Sequence, residues 1–250
     1  DSFAASDISD DMLRGSSLLH FGYPPLMRNM YSNDGEELVS LFRRAKELGL
    51  ATSLDMAAVD PASDAGKVDW RKILERVLPY TDIFAPSIEE IIYMLDREKY
   101  SELQSRSTEG DITLRLSVEK DVKPIADTLE GMGAKIILIK CGVAGMYLQT
   151  TGHAGLAEVG AKVSPDPESW AGKYIFEPSF KPEKVLSATG AGDTSIAAFL
   201  TALLEGRGPE ECVQLAAATG ACCVTAYDAL SGLKPFEVLS EKISSGWEKL

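Results

Sequence analysis

The chain has 250 residues, 45% hydrophobic and 25% charged, with a formal net charge of −13. That size and balance suit one large globular domain, or two small ones, with a substantial core. The negative charge argues against nucleic acid or an anionic membrane as partner, since phosphate-rich surfaces demand a basic face, and no apolar run approaches the roughly 18 residues that span a bilayer.

No basic-then-apolar leader is visible at Asp1, so no signal peptide is read. Ser17 to Gly22 is the first apolar run and predicts a short buried strand. Asp34 to Gly49 predicts a helix, because Leu38, Leu41, Phe42, Ala45 and Leu48 recur at helical spacing and Gly49 suits the residue after a helix end. Leu50 to Asp55 follows as a strand ending in an acid. Trp70 to Leu78 reads as a helix, Asp82 to Pro86 as a brief strand and Ile88 to Leu95 as a helix. Ser117 to Gly133 predicts an amphipathic helix, Lys135 to Lys140 a buried strand, and Gly145 to Thr150 its hairpin partner. Residues 151–187, rich in Gly, Pro and Lys, read as loops with short strands. Two helices close the order, Thr194 to Glu205 and Pro209 to about Tyr227, with Pro209 suited to a first helical turn.

Strands that are continuous apolar runs and alternate with helices predict a mainly parallel sheet covered on both faces, a three-layer α/β/α sandwich. Ligands of such sheets sit beyond the carboxyl ends of the strands. Asp55, Pro86-Ser87, Cys141-Gly142 and Thr189-Gly190 all follow predicted strands and are expected to converge on one rim. Cys141, Cys212, Cys222 and Cys223 sit in apolar surroundings, and the last two are adjacent, which suggests reduced, cytoplasmic usage. With only His20 and His153 and no ligand spacing, a zinc site is not expected.

The most chemically informative stretch is Ala188-Thr189-Gly190-Ala191-Gly192-Asp193-Thr194-Ser195, which opens a helix. First-turn amides lack intrahelical partners and bind anions, and glycines let a phosphate approach the backbone. An acid beside such a nest repels the phosphate but suits a base that takes a proton from an attacking hydroxyl. The alternative is an ordinary N-cap at Asp193 with Gly190 and Gly192 as turn residues. Gly190-x-Gly192-x-x-Ser195 lacks the third glycine of a dinucleotide fingerprint, Gly172-Lys173 leads to Tyr174 rather than the Ser or Thr of a P-loop, and no Gly-x-Ser-x-Gly elbow occurs.

In this order the segments resemble the PfkB (ribokinase-like) family of carbohydrate kinases. Gly190 to Asp193 resembles the family's C-terminal signature, Ile137 to Gly145 the strand and glycine turn that hold nucleotide phosphates, Asp82 to Glu90 the segment with an Asn-x-x-Glu motif, and Ala217 to Ala229 the helix and loop lining the adenine pocket. The resemblance implies a ribokinase-like fold and ATP-dependent phosphoryl transfer to an alcohol of a small sugar. It makes Asp193 the general base and the amides of Gly190, Ala191, Gly192 and Asp193 an anion hole. Glu90 would help hold Mg²⁺, through water; Gly142 and Gly145 would admit the nucleotide phosphates. Lys140 either reaches a phosphate or merely snorkels. A nucleoside kinase of the same fold and a nucleotide- or sugar-phosphate-binding module without turnover are the alternatives, and a homodimer is a possible partner state.

The departures are specific. Ser87 stands where the family usually has Asn, and Lys140 and Cys141 where Thr and Leu are common. Ser187 replaces an acid of a monovalent-cation site, which leaves that cation doubtful. Met56, Ala57, Ala58 and Val59 follow Asp55 where many sugar kinases have an Asn and an Arg. The family's early Gly-Gly motif and small β-sheet lid have no counterpart here. The expectation is therefore a single unit over residues 1–250, with Asp1 to Gly15 resembling the tail of that region, that holds the nucleotide-binding and catalytic half.

Overall fold

The computed structural model describes residues 2–107, 111–163 and 165–250; Asp1 of the expected tail and Ser164 of the glycine-rich stretch lie outside them. Six strands stand side by side in chain order: β1 Leu18–Phe21, β2 Ala51–Leu54, β3 Ile83–Phe84, β4 Ile136–Lys140, β5 Gly145–Thr150 and β6 Tyr174–Pro178. The first four are parallel. β5 turns back on β4, with Met146 opposite Lys140, and β6 runs antiparallel to β5. The expected hairpin is present, and residues 151–187 contribute β6 as their strand.

Alternation along each strand sends side chains to two separate cores, as the two-residue period of a strand requires. Leu54, Phe84, Ile137 and Ile139 join one, packed by α1 (Glu36–Glu47), α2 (Trp70–Val77), α3 (Ile88–Leu95) and, beyond α4 (Arg97–Arg106), α5 (Lys123–Gly131). Ala51, Ile83, Ile136, Leu138 and Leu148 join the other, under α6 (Ala191–Leu204), α7 (Pro209–Cys223) and α8 (Phe236–Ser244). Each large side chain fully buried this way contributes roughly 1.5–3 kcal/mol. The result is the three-layer α/β/α sandwich.

Several elements differ from the sequence reading, each for a local reason. β1 is an edge strand in which only Phe21 is buried, so the expected buried strand is half-solvated. Asn33, Asp34 and Gly35 all adopt left-handed backbone, which delays α1 to Glu36. The helix expected over 117–133 opens as a wide π turn, Val118–Val122, before α5; Pro124 supplies no N–H to a regular ladder there. α4 was not expected, because only its Leu103 is buried; an Asp96 cap on the Lys99 amide (2.8 Å) and a Lys99–Asp121 ion pair (2.6 Å) hold it instead. α8 likewise buries only Leu239, and α7 ends at Cys223, short of Tyr227. All four cysteines are free and buried, and burial pushes the thiols of Cys141 and Cys212 up to about 12. No helix among the described residues is long and apolar enough to cross a membrane.

Candidate active site

The parallel strands end on one rim, and the chain leaves each end carrying a polar residue. Asp55 follows β2, its amide held by the Phe21 carbonyl of β1 (3.0 Å). Ser87 lies three residues after β3, and a parallel bridge from Ser87 to Lys140 continues the same register past that strand. Lys140 ends β4. With the start of α6 these exits enclose a cleft of about 330 Å³, lined among others by Tyr23, Asp55, Ser87, Glu90, Thr113, Lys140, Gly142 and the run Gly190 to Asp193. Of the rim expected from sequence, Asp55, Ser87, Gly142 and Gly190 line this cleft, but Thr189-Gly190 follows the loop after β6 (which ends at Pro178) rather than a strand, and Cys141 is buried beneath it.

At the start of α6, Gly190 has φ +81°, and a Cβ there would lie 2.3 Å from the Ala229 Cβ; backbone and neighbour both demand glycine. This turn starts the helix three residues earlier than expected. Asp193 therefore sits inside the first turn and makes no capping bond, so it is not the ordinary N-cap of the alternative reading. The Ala191 amide donates to the Ala188 carbonyl (3.2 Å) and the Thr194 amide to the Gly190 carbonyl (2.9 Å). Among the described residues the amides of Gly190, Gly192 and Asp193 have no protein acceptor, which makes them free donors of the nest. Ala191, expected to contribute its amide, has it engaged.

The Lys140 ammonium reaches this nest: its Nζ is 3.8 Å from where a Cβ on Gly192 would stand. It is fixed from below by a hydrogen-bonded ion pair with Asp55 Oδ1 (2.7 Å), whose side chain is 3% exposed. Lys140 does not snorkel to open solvent. Burial pushes the Asp55 carboxyl up to about 6; the charge and hydrogen bond of Lys140 oppose this, and the Glu90 charge adds to it. Because the folded value lies above the unfolded one of 3.8, the folded chain holds this proton over the window between them. The resulting stability is fully present below that window and is lost as pH rises through about 6. Urea unfolding across this window is expected to show wild type losing up to about 1.4 kcal/mol per pH unit relative to Asp55→Asn.

Opposite the nest stands Tyr23, in left-handed backbone (φ 65°, ψ 41°) directly before Pro24. A bulky residue pays roughly 1–3 kcal/mol for such a conformation, and a following proline disfavours it further. The turn is nevertheless fixed, because Pro24 and Pro25 are buried and the Leu26 amide bonds the Tyr23 carbonyl (3.0 Å). The Tyr23 hydroxyl donates to Asp193 Oδ1. Burial raises its ionisation well above the ordinary phenol value, as do the bond to Asp193 and the negative charges of Asp193, Asp55 and Glu90. On β1, His20 Nδ1 lies 3.0 Å from Ser53 Oγ; burial and then Lys140 lower its pKa, while Asp193 acts the other way.

The remaining expected residues divide. Glu90 lines the cleft and closes a capping box at α3: its Oε2 accepts from the Ser87 amide (2.8 Å), and Ser87 Oγ accepts from the Glu90 amide (3.3 Å). Gly142 lines the cleft, but its bare face is met by Thr113, whose Oγ1 lies 2.7 Å from a Cβ built there. Gly145 is not among the cleft residues; it faces β6, as discussed below. Ala217 lies on α7 and is buried in the core beneath it, away from the cleft lining, and Ala229 packs on Gly190. Sequence reasoning missed Tyr23, Thr113 and the pairing of Asp55 with Lys140. The turn signal Gly22-Tyr23-Pro24-Pro25 at the end of a strand was the available clue to the first.

The chain is 28% identical to a ribokinase of Arabidopsis thaliana over 184 residues, 74% of this chain and 39% of that one. It is 28% identical to an uncharacterized sugar kinase of Archaeoglobus fulgidus over 233 residues, 93% of this chain and 71% of that one. A fructokinase from Xylella fastidiosa, solved with bound ATP, superposes with a TM-score of 0.65 at 17% identity, covering 98% of this chain and 66% of that one. The chain therefore spans only part of the length of these proteins. The family pattern of pfkB family carbohydrate kinases matches residues 17–235. With the nest, the rim and the strand order in place, that match over most of its length makes the chain a member of the pfkB family of carbohydrate kinases.

Proposed function

We propose that the protein transfers the γ-phosphoryl group of ATP to a hydroxyl of a small sugar, with Asp193 as the general base. The observation that carries this is the placement of Asp193: an acid inside the first turn of α6, beside free amides and within a cleft that also holds a buried-based lysine. An acceptor hydroxyl on the Asp193 carboxylate gives up its proton as its oxygen attacks the γ-phosphorus. The bond from that phosphorus to the bridging oxygen breaks, and ADP leaves. Charge on the transferred group meets the amides of Gly192 and Asp193 and the Lys140 ammonium, which are oriented before the reaction begins.

Among the described residues no three His, Cys, Asp or Glu side chains converge into an all-protein metal cage. Glu90 has one oxygen in its capping box and the other without a hydrogen bond among the described residues, at the cleft. That donor set fits Mg²⁺ carried on nucleotide phosphates and held by one carboxylate through water. Bound there, the ion would neutralise charge shared by the β- and γ-phosphates. Ser187, whose Oγ accepts from the Thr189 amide (3.1 Å), offers no carboxylate to a monovalent cation.

The test is an ADP-release screen of the full-length protein with ATP and Mg²⁺ over sugars and nucleosides. Release with sugars is the expected result. Release with nucleosides alone would reassign the acceptor, and ATP binding without release for any acceptor would favour a module without turnover.

A further inference from the structure

We propose that Tyr23 determines specificity against water: its hydroxyl holds the acceptor's place on Asp193 until a sugar hydroxyl displaces it. This rests on the kinase reading above. A base next to a bound γ-phosphate deprotonates any hydroxyl that reaches it, so a phosphotransferase must keep water off that base when no acceptor is present. Tyr23 is the group that does so in this cleft, because its hydroxyl already donates to Asp193 Oδ1.

Three features fit a placeholder. The backbone that carries the ring is locked by the buried Pro24 and Pro25 and by hydrogen bonds from the Leu26 amide to the Tyr23 carbonyl and from the Met27 amide to the Pro24 carbonyl (both 3.0 Å). The side chain itself stands at the cleft mouth, with the residue 38% exposed, so the ring has room to turn aside about its own rotamers. Burial, the bond to Asp193 and the negative charges of Asp193, Asp55 and Glu90 disfavour the phenolate and keep the hydroxyl a donor. A sugar hydroxyl replaces this donor one for one, at little cost in hydrogen bonding. A lone water gains the same bond but must displace the anchored ring without the further contacts of a sugar.

The experiment uses the full-length protein, ATP labelled in the γ-phosphate and Mg²⁺, without acceptor. Tyr23→Phe keeps the ring and opens the base; it is expected to raise phosphate release about tenfold, the factor set by one hydrogen bond to a charged group. Tyr23→Phe combined with Asp193→Asn is expected to return release to the background level. With the acceptor found in the screen, Tyr23→Phe is expected to lower the acceptor KM, since nothing remains to be displaced; a merely structural tyrosine gives no such fall. Unchanged phosphate release in Tyr23→Phe overturns the proposal, and so does label on Tyr23 in the wild type, which would make it an acceptor itself. ATP binding is measured alongside. Its absence in the wild type sinks the kinase reading as well, whereas acceptor-dependent ADP release with unchanged hydrolysis in Tyr23→Phe sinks the Tyr23 assignment alone.

Discussion

Asp193→Asn is expected to lower kcat by about 10²–10⁴-fold, the range supplied by a positioned general base, while ATP affinity changes only a few-fold. The two effects separate because the side chain and the backbone of Asp193 serve different partners. The carboxylate lines the cleft and accepts from Tyr23, whereas the amides of Gly192 and Asp193 are free backbone donors that survive the substitution. Asparagine keeps the shape of the first turn of α6, so the nest remains. Calorimetric ATP titration together with single-turnover phosphoryl transfer measures both quantities. Wild-type turnover in this variant would remove Asp193 from the role of base, and lost ATP binding with it would mean the substitution had disturbed the nest.

Gly145→Ala is expected to destabilise the fold by roughly 3–5 kcal/mol, placing it among the rare severe substitutions, and to lower Tm by about 10 °C for a chain of this size. Gly145 has φ +130°, a region that side chains rarely adopt, and a Cβ would lie 2.2 Å from the Glu177 carbonyl oxygen and 2.8 Å from the Pro178 Cα. Both obstacles are backbone of β6. Neither yields without breaking the register that pairs Gly145 with Pro178. The Gly145 carbonyl also accepts from the Cys141 amide (2.8 Å), so the turn leading out of β4 is held by the same residue. The glycine thus serves close approach of two strands, and ATP affinity measured below the transition is expected to stay near wild type. A large loss of affinity with unchanged Tm would instead put Gly145 against the phosphates, as the resemblance implied.

Much of the architecture is legible because burial on both faces leaves a continuous apolar run, as in Ile136 to Ile139, and because helices facing such a sheet keep their spacing. α4 left no such trace: its stability resides in a cap and ion pairs, which look like solvated sequence. The capping box of Ser87 and Glu90 is a local signal, three residues apart, and could be read directly. The Asp55–Lys140 pair could not. These residues are 85 positions apart and meet only because the registers of β2, β3 and β4 bring two strand ends to one level. The start of α6 was misplaced for a subtler reason. Helical periodicity begins with the buried Thr194 and Ser195, but the hydrogen-bonded turn begins where the left-handed Gly190 redirects the chain. That offset of three residues turns Asp193 from a cap into a side chain aimed at the cleft.

Strand order in space repeats strand order in the chain, and this bears on how the molecule is made. Each parallel strand, on leaving the ribosome, finds the edge of its predecessor still open, and the helix between them has only to fold back over one neighbour. From β1 onward the described strands can therefore add one after another, each beside its predecessor in the chain. Asp193 and the donors around it follow β6 and lie in the last third of the sequence, whereas Tyr23, Asp55, Glu90 at the start of α3 and Lys140 at the end of β4 come earlier. A nascent chain thus carries the floor of the cleft well before it carries Asp193 and the free amides beside it, so the cleft is closed late in the synthesis of these residues.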